Sequence, residues 1–169
     1  KSTDARMQRF ALTKMLSDTY FHNFVTHLLE AAYQREVYNL IDAGKSFDAG
    51  KLSEIKRSVL ERFWGDAVEI NAGAELTWMR QIHYYMGLYS YTYSAGLTIA
   101  TQAFLRVKAE EEGAVADWLE FLALGDKLEA AEAAALAGVD IKTDQALQDT
   151  IHYLDEAVDH IITLSKELA

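Results

Sequence analysis

The densest concentration of chemically useful side chains lies between Ile82 and Gly96, which reads Ile-His-Tyr-Tyr-Met-Gly-Leu-Tyr-Ser-Tyr-Thr-Tyr-Ser-Ala-Gly. A phenol hydroxyl can donate to a developing oxyanion, and an imidazole can donate or accept a proton near neutral pH. On a continuous helix Tyr85, Tyr89 and Tyr93 step by four and form one row. Gly96 follows on that face, with Ala100 beyond it, leaving bare backbone that a ligand can approach closely. Gly87, a poor helix former, allows a bend between His83 and Tyr89. The same rings could equally pack a core and bond one another there. Spacing alone favours that packing reading.

The remaining histidines carry weaker signals. His22 and His27 are five apart, which puts them about 140° apart on a regular helix, a poor arrangement for shared ligation. His152, Glu156 and His160 share a face at i, i+4 and i+8, a weak metal clip that solvent-facing polar residues explain more simply. No His-Glu-x-x-His motif, nucleotide-binding loop or Gly-x-Ser-x-Gly elbow occurs. The reading assigns no metal ligands and no cofactor to this chain.

The elements that must position these residues are helices. From about Thr3 to Ala43, Phe21, Phe24, Val25, Leu28, Leu29 and Ala32 follow the helical template. Ser2 or Thr3 can cap that helix and Gly44 can end it. A second amphipathic helix carries Leu52, Ile55, Val59, Leu60, Phe63 and Trp64 and stops at Gly65. Another is expected from Ala74 toward Tyr84, and one more from the tyrosine segment to Glu112. Val115, Trp118, Leu119 and Leu122 mark a short helix ending at Gly125, and Asp126 with Glu129 reads as a capping pair for an alanine-rich run. Leu147, Ile151, Leu154, Val158, Ile161, Ser165 and Leu168 form a packing seam on the last helix. The expected fold is therefore all-α: a bundle of six or seven helices, forming one domain over residues 1–169, with the longest helix at the N-terminus.

Composition narrows the partners. A formal charge of −10 repels a phosphate backbone, so nucleic acid is not expected. The absence of cysteine rules out disulfides and thiolate chemistry and suits a reducing, cytoplasmic setting. Gln81 to Leu105 contains no Asp, Glu, Lys or Arg, yet its histidine, tyrosines and hydroxyl residues suit a buried interior segment better than a membrane span. Proline is absent where about eight would be ordinary for this length.

The tyrosine segment resembles one in oligoendopeptidase F-type zinc metallopeptidases, which reads roughly Pro-His-Phe/Tyr-Tyr and then Tyr-x-Tyr-x-Tyr-Ala-x-Gly. Met15–Phe24, Phe63-Trp64-Gly65-Asp66, Glu75-Leu76-Thr77-Trp78 and Ala137-Gly138-Val139-Asp140 follow in the family's order. The resemblance covers nearly the whole chain and corresponds to the C-terminal part of the catalytic domain. It implies a zinc peptidase that cleaves short peptides in a helical cavity, its metal motif and general base lying upstream of the matched region. It further implies that His83 binds substrate backbone, with Tyr85 and Gly96 beside the substrate. Tyr89 and Tyr93 become the oxyanion donors, Tyr89 first by spacing.

Ile82 stands where the family has proline, and Gly125 to Ala135 replaces a glycine- and proline-bearing loop with a helix former. Such departures point to a redesigned or strongly diverged domain. The expected partners are short peptides and the missing zinc-binding part, with exposed apolar faces able to form a homodimer. The alternative is a free-standing helical scaffold kept for binding without catalysis.

Overall fold

A computed structural model describes residues 3–169, so Ser2, one of the two expected caps, lies outside the described residues. Among them there is no β-strand. Seven α-helices follow in order: α1 (Ala5–Lys14), α2 (His27–Asp42), α3 (Ala49–Trp64), α4 (Tyr91–Lys108), α5 (Ala114–Leu124), α6 (Ala130–Leu136) and α7 (Gln145–Glu167). A π-helix, Met15–Thr26, joins α1 to α2, and two short 3-10 helices, Ala74–Met79 and Ile82–Tyr85, lie between α3 and α4. The all-α expectation holds.

Local signals explain most boundaries. Asp4, one residue beyond the expected Thr3, caps α1 by accepting from the Arg6 amide at 2.8 Å. Asp48 caps α3 in the same manner through the Lys51 amide, so this helix starts ahead of Gly50, which the sequence reading places in a loop. Glu129 is the N-cap residue of α6, but no side chain caps that helix, and the expected Asp126–Glu129 pair does not form. The helix expected from Ala74 to Tyr84 is broken into the two 3-10 pieces, with Gln81 extended between them.

The chain divides into two compact units. One contains residues 3–21 and Ala95–Ala169. Its buried centre is built from Ala137, Val139 and Ala146, against which Ile99, Trp118, Phe121 and Ile141 pack. The Trp118 and Phe121 rings stack at 5.1 Å. Gln102 donates to the Ala146 carbonyl at 3.1 Å and to the Thr150 hydroxyl at 3.0 Å, which ties α4 to the start of α7. Helix α1 packs along α7.

The buried line of α7 runs through Ala146, Thr150, Ala157 and Leu164. The seam expected from the large apolar residues is therefore rotated, and Ile151 and Val158 are exposed. Small side chains allow close approach of helices, and the aliphatic pattern does not register them. Val115, Leu119 and Leu122 of α5 are also exposed, so of the four apolar residues that announce that helix only Trp118 packs against the buried centre.

The second unit, His22–Ser94, contains α2, α3 and both 3-10 helices. Helix α3 packs on α2 and on the first 3-10 helix. The Trp78 indole donates to the Ser53 hydroxyl at 3.1 Å, and Arg57 pairs with Glu75 at 2.8 Å. The charge-free stretch is interior only in part: Ser90, Ser94, Thr98 and Thr101 are buried, while Ile82, Tyr85, Tyr91 and Phe104 are exposed. No described helix is long and apolar enough to cross a membrane.

Gly138 offers a direct test of the first unit. Its φ is +73°, and a Cβ there would fall 1.9 Å from Arg106 Nη1, which donates to the Ala137 carbonyl at 2.6 Å. The same guanidinium also binds Asp117 and Glu111. Gly138→Ala must strain the backbone and push that side chain off its partners. Left-handed strain of about 1–2 kcal/mol and a lost, part-buried hydrogen bond of about 1–3 kcal/mol together predict a loss of about 2–5 kcal/mol. Urea denaturation of the variant measures it.

Candidate active site

The second unit places the tyrosine and histidine residues around one buried carboxylate. Glu30, on the first turn of α2, is only 5% exposed. It accepts from His27 Nδ1 at 2.7 Å and from the Ser90 hydroxyl at 3.0 Å through Oε2. The Gln81 amide donates to its other oxygen at 2.8 Å. Because an ionised carboxylate can only accept, the proton in the His27 contact sits on Nδ1. The Gln81 nitrogen also lies 2.8 Å from His83 Nδ1. With the amide as donor, His83 accepts at Nδ1 and carries its proton on Nε2.

Aromatic contacts complete the cluster. The Tyr93 ring stacks on His27 at 4.0 Å, and His83 meets Tyr89 at 5.3 Å and Tyr93 at 5.6 Å. The two tyrosine hydroxyls lie 3.2 Å apart. Both tyrosines are half-buried, and their hydroxyls pair with each other rather than with backbone. That hydrogen bond, with some burial, raises the Tyr93 phenol above its ordinary pKa and keeps it a protonated donor.

His83, Tyr89 and Tyr93 are thus brought together. Tyr85 is not part of their row, because the helix does not run through it. Gly87 and Leu88 adopt φ of +41° and +54°, and α4 begins only at Tyr91. Tyr85 is 69% exposed, and its hydroxyl donates to the Trp78 carbonyl at 3.4 Å. Gly96 lies in α4 within the other unit, with open space where a Cβ would stand. His152 and Glu156 are exposed on α7, 3.5 Å apart.

Sequence reasoning missed His27 and Glu30. Regular helix geometry relates His27 to His22 and sets the two apart. The π-helix, whose hydrogen bonds run from i to i+5, ends at Thr26; its wider turn brings His22 toward the face of His27, and the two rings lie 5.0 Å apart. The available signal was His27-x-x-Glu30, since residues three apart share a helix face.

The backbone of His83 is held from behind. Gln34, buried in α2, donates to the His83 and Tyr84 carbonyls at 3.3 and 3.4 Å. Tyr84 then accepts from Lys56 Nζ at 2.6 Å, and that ammonium also lies over the Tyr33 and Tyr84 rings. Clefts elsewhere in this unit include one of about 360 Å³ lined by Glu36, Leu40, Lys51, Val59 and Arg62, away from the histidines.

Comparison with known proteins agrees with the motifs. No family profile matches the chain. It is 21% identical over 135 residues to an oligoendopeptidase F homologue of Borreliella burgdorferi, covering 80% of this chain and 23% of that protein. It is 27% identical over 143 residues to the plasmid oligoendopeptidase F of Lactococcus lactis subsp. cremoris, covering 83% of this chain and again 23% of the relative. The crystal structure of oligoendopeptidase F from Enterococcus faecium superposes with a TM-score of 0.92 at 20% identity, over 99% of this chain and 32% of that one. The chain thus spans about a quarter of the length of the curated relatives it matches and shares the fold of the corresponding part.

Lys56 gives this unit a distinctive pH response. Burial, opposed in part by the charge of Glu30, lowers its pKa to about 8 from an ordinary 10.5. Between those values the unfolded chain holds more protons, so stability should rise with pH by about 2 kcal/mol from pH 8 to 10. Above pH 10 the trend reverses, because burial raises the Tyr33 phenol to about 12 and also raises Tyr84. The folded state then resists an ionisation that the unfolded chain undergoes. Lys56→Met should abolish the rise and keep the fall, as followed by urea denaturation across that range.

Proposed function

We propose that this chain is the substrate-binding, C-terminal portion of a zinc-dependent oligopeptidase that hydrolyses short peptides. The observation that carries the reading is the convergence of His83, Tyr89 and Tyr93 in one half-buried cluster. Their order along the chain matches that of the family the sequence resembles. The relatives' names support a peptidase, and the cysteine-free, acidic composition suits a cytoplasmic setting.

The family's zinc requires a His-Glu-x-x-His helix, which this sequence does not contain. His83, Tyr89 and Tyr93 do not replace that motif. In an intact enzyme the metal and its general base would supply the activated water. The residues of this chain would hold the peptide and stabilise charge. His83 Nε2–H is a donor for a peptide carbonyl, with Nδ1 and the backbone behind it fixed by Gln81 and Gln34. Within the pair one hydroxyl donates to the other, which leaves one proton free for an oxygen that becomes negative as the scissile carbonyl turns tetrahedral; breaking the mutual bond would free the second. Stacking on His27 restricts the Tyr93 ring, so little reorganisation is needed when that charge develops.

Two outcomes test the proposal. Peptide hydrolysis by the chain alone should stay at background with or without added zinc, and chelator-sensitive turnover would contradict it. In a full-length enzyme carrying this segment, Tyr89→Phe should lower kcat by about 10²–10³ with little change in KM, because an oxyanion donor acts mainly in the transition state. A change confined to KM would remove Tyr89 from that role.

A further inference from the structure

The structure assigns a second chemistry to the same unit: we propose that His27, Glu30 and His83 form a site for a divalent transition-metal ion, with Zn²⁺ the best fit. One donor atom from each of the three residues lies within 4.8 Å of the other two. Glu30 Oε2 is 2.7 Å from His27 Nδ1 and 4.0 Å from His83 Nδ1. Ligands held about 2.0–2.1 Å from zinc in a tetrahedron stand roughly 3.3 Å apart. The observed separations bracket that value, so shifts of roughly 1 Å would seat the ion. The ion would bind His27 Nδ1, whose proton passes to Nε2 of the same ring, and would displace the Gln81 amide from His83 Nδ1.

The donor chemistry selects the metal. Two imidazoles and one carboxylate suit zinc and its neighbours, whereas calcium and magnesium prefer all-oxygen sites. The supporting contacts are also in place. Ser90 and Gln81 orient the two oxygens of Glu30, and the stacked Tyr93 ring orients His27. Outer contacts of this kind fix ligand geometry in metal centres. Burial strengthens the argument. Glu30 and His27 are 5% and 1% exposed, and the nearby Lys56 directs its ammonium to Tyr84 instead. A buried carboxylate without a bonded cationic side chain gains most from a metal ion. His83, less buried, forms the accessible side through which an ion would enter.

This site differs from the His-Glu-x-x-His centre expected upstream, and its test reads metal content rather than hydrolysis. Failure here would leave the peptidase reading intact. Calorimetric titration with Zn²⁺ should show one ion bound per chain. Glu30→Gln and His83→Asn should each weaken binding by more than about 100-fold, beyond the roughly 10–100-fold typical of outer-contact losses. His152→Gln, on the exposed face of α7, should bind as the parent chain does. Circular dichroism reports whether each variant folds, and if Glu30→Gln does not, the more exposed His83→Asn decides the question. No uptake by the parent chain would overturn the proposal. So would uptake that survives in His83→Asn, or uptake abolished by His152→Gln.

Discussion

The buried carboxylate of Glu30 organises the unit that holds the candidate site. A carboxylate removed from water is costly unless its oxygens are bonded, and here three donors from three parts of the chain meet it. His27 comes from the same helix, Gln81 from the extended residue before the second 3-10 helix, and Ser90 from the residue before α4. Each position is thereby constrained by the need to satisfy one charge. Removing one donor leaves a buried charge only partly satisfied, so the geometry is specified by penalty as much as by attraction.

That constraint explains why the tyrosine segment is not one helix. A continuous helix through Gly87 would carry Tyr85, Tyr89 and Tyr93 in a row and impose a fixed rotation between His83 and Ser90. Instead, Gly87 and Leu88 take positive φ and reverse the chain locally, so that both Gln81 and Ser90 reach Glu30. Glycine adopts such a conformation freely, while Leu88 does so at a cost that the surrounding contacts must offset. The bend at Gly87 was legible in the sequence. Its extension to Leu88 was not, because leucine carries no signal for a left-handed backbone.

Other parts of the fold divide along the same physical line. Gly44, Gly65, Gly125 and Gly138 end their helices with positive φ, as their places after apolar runs implied. These are local rules that a single residue can express. The π-helix over Met15–Thr26 has no such marker, and within it Phe21, expected on the apolar face, is exposed while Phe24 is buried. The buried line of α7 runs through Ala146, Thr150 and Ala157 before Leu164, so three of its four members are small side chains suited to close helix approach. Tertiary packing decides both features. At the site, the meeting of His83, Tyr89 and Tyr93 could be anticipated from motif order, but the part played by Glu30 could not.

The tyrosine pair is best understood through what supports it. Tyr93 is restrained by the stacked His27 ring, and His27 is restrained by the same carboxylate that Gln81 and Ser90 hold. Tyr89 is restrained through its hydroxyl contact with Tyr93 and its ring contact with His83. The path from buried charge to phenol is therefore a short series of direct contacts within one unit. A loss at Glu30 would propagate to both hydroxyls, because neither phenol is fixed by backbone. A loss at Tyr85 would not, since its ring is exposed and its hydroxyl donates to the Trp78 carbonyl. Position in this contact series, more than spacing along the chain, separates Tyr89 and Tyr93, which meet at their hydroxyls, from Tyr85, whose hydroxyl bonds elsewhere.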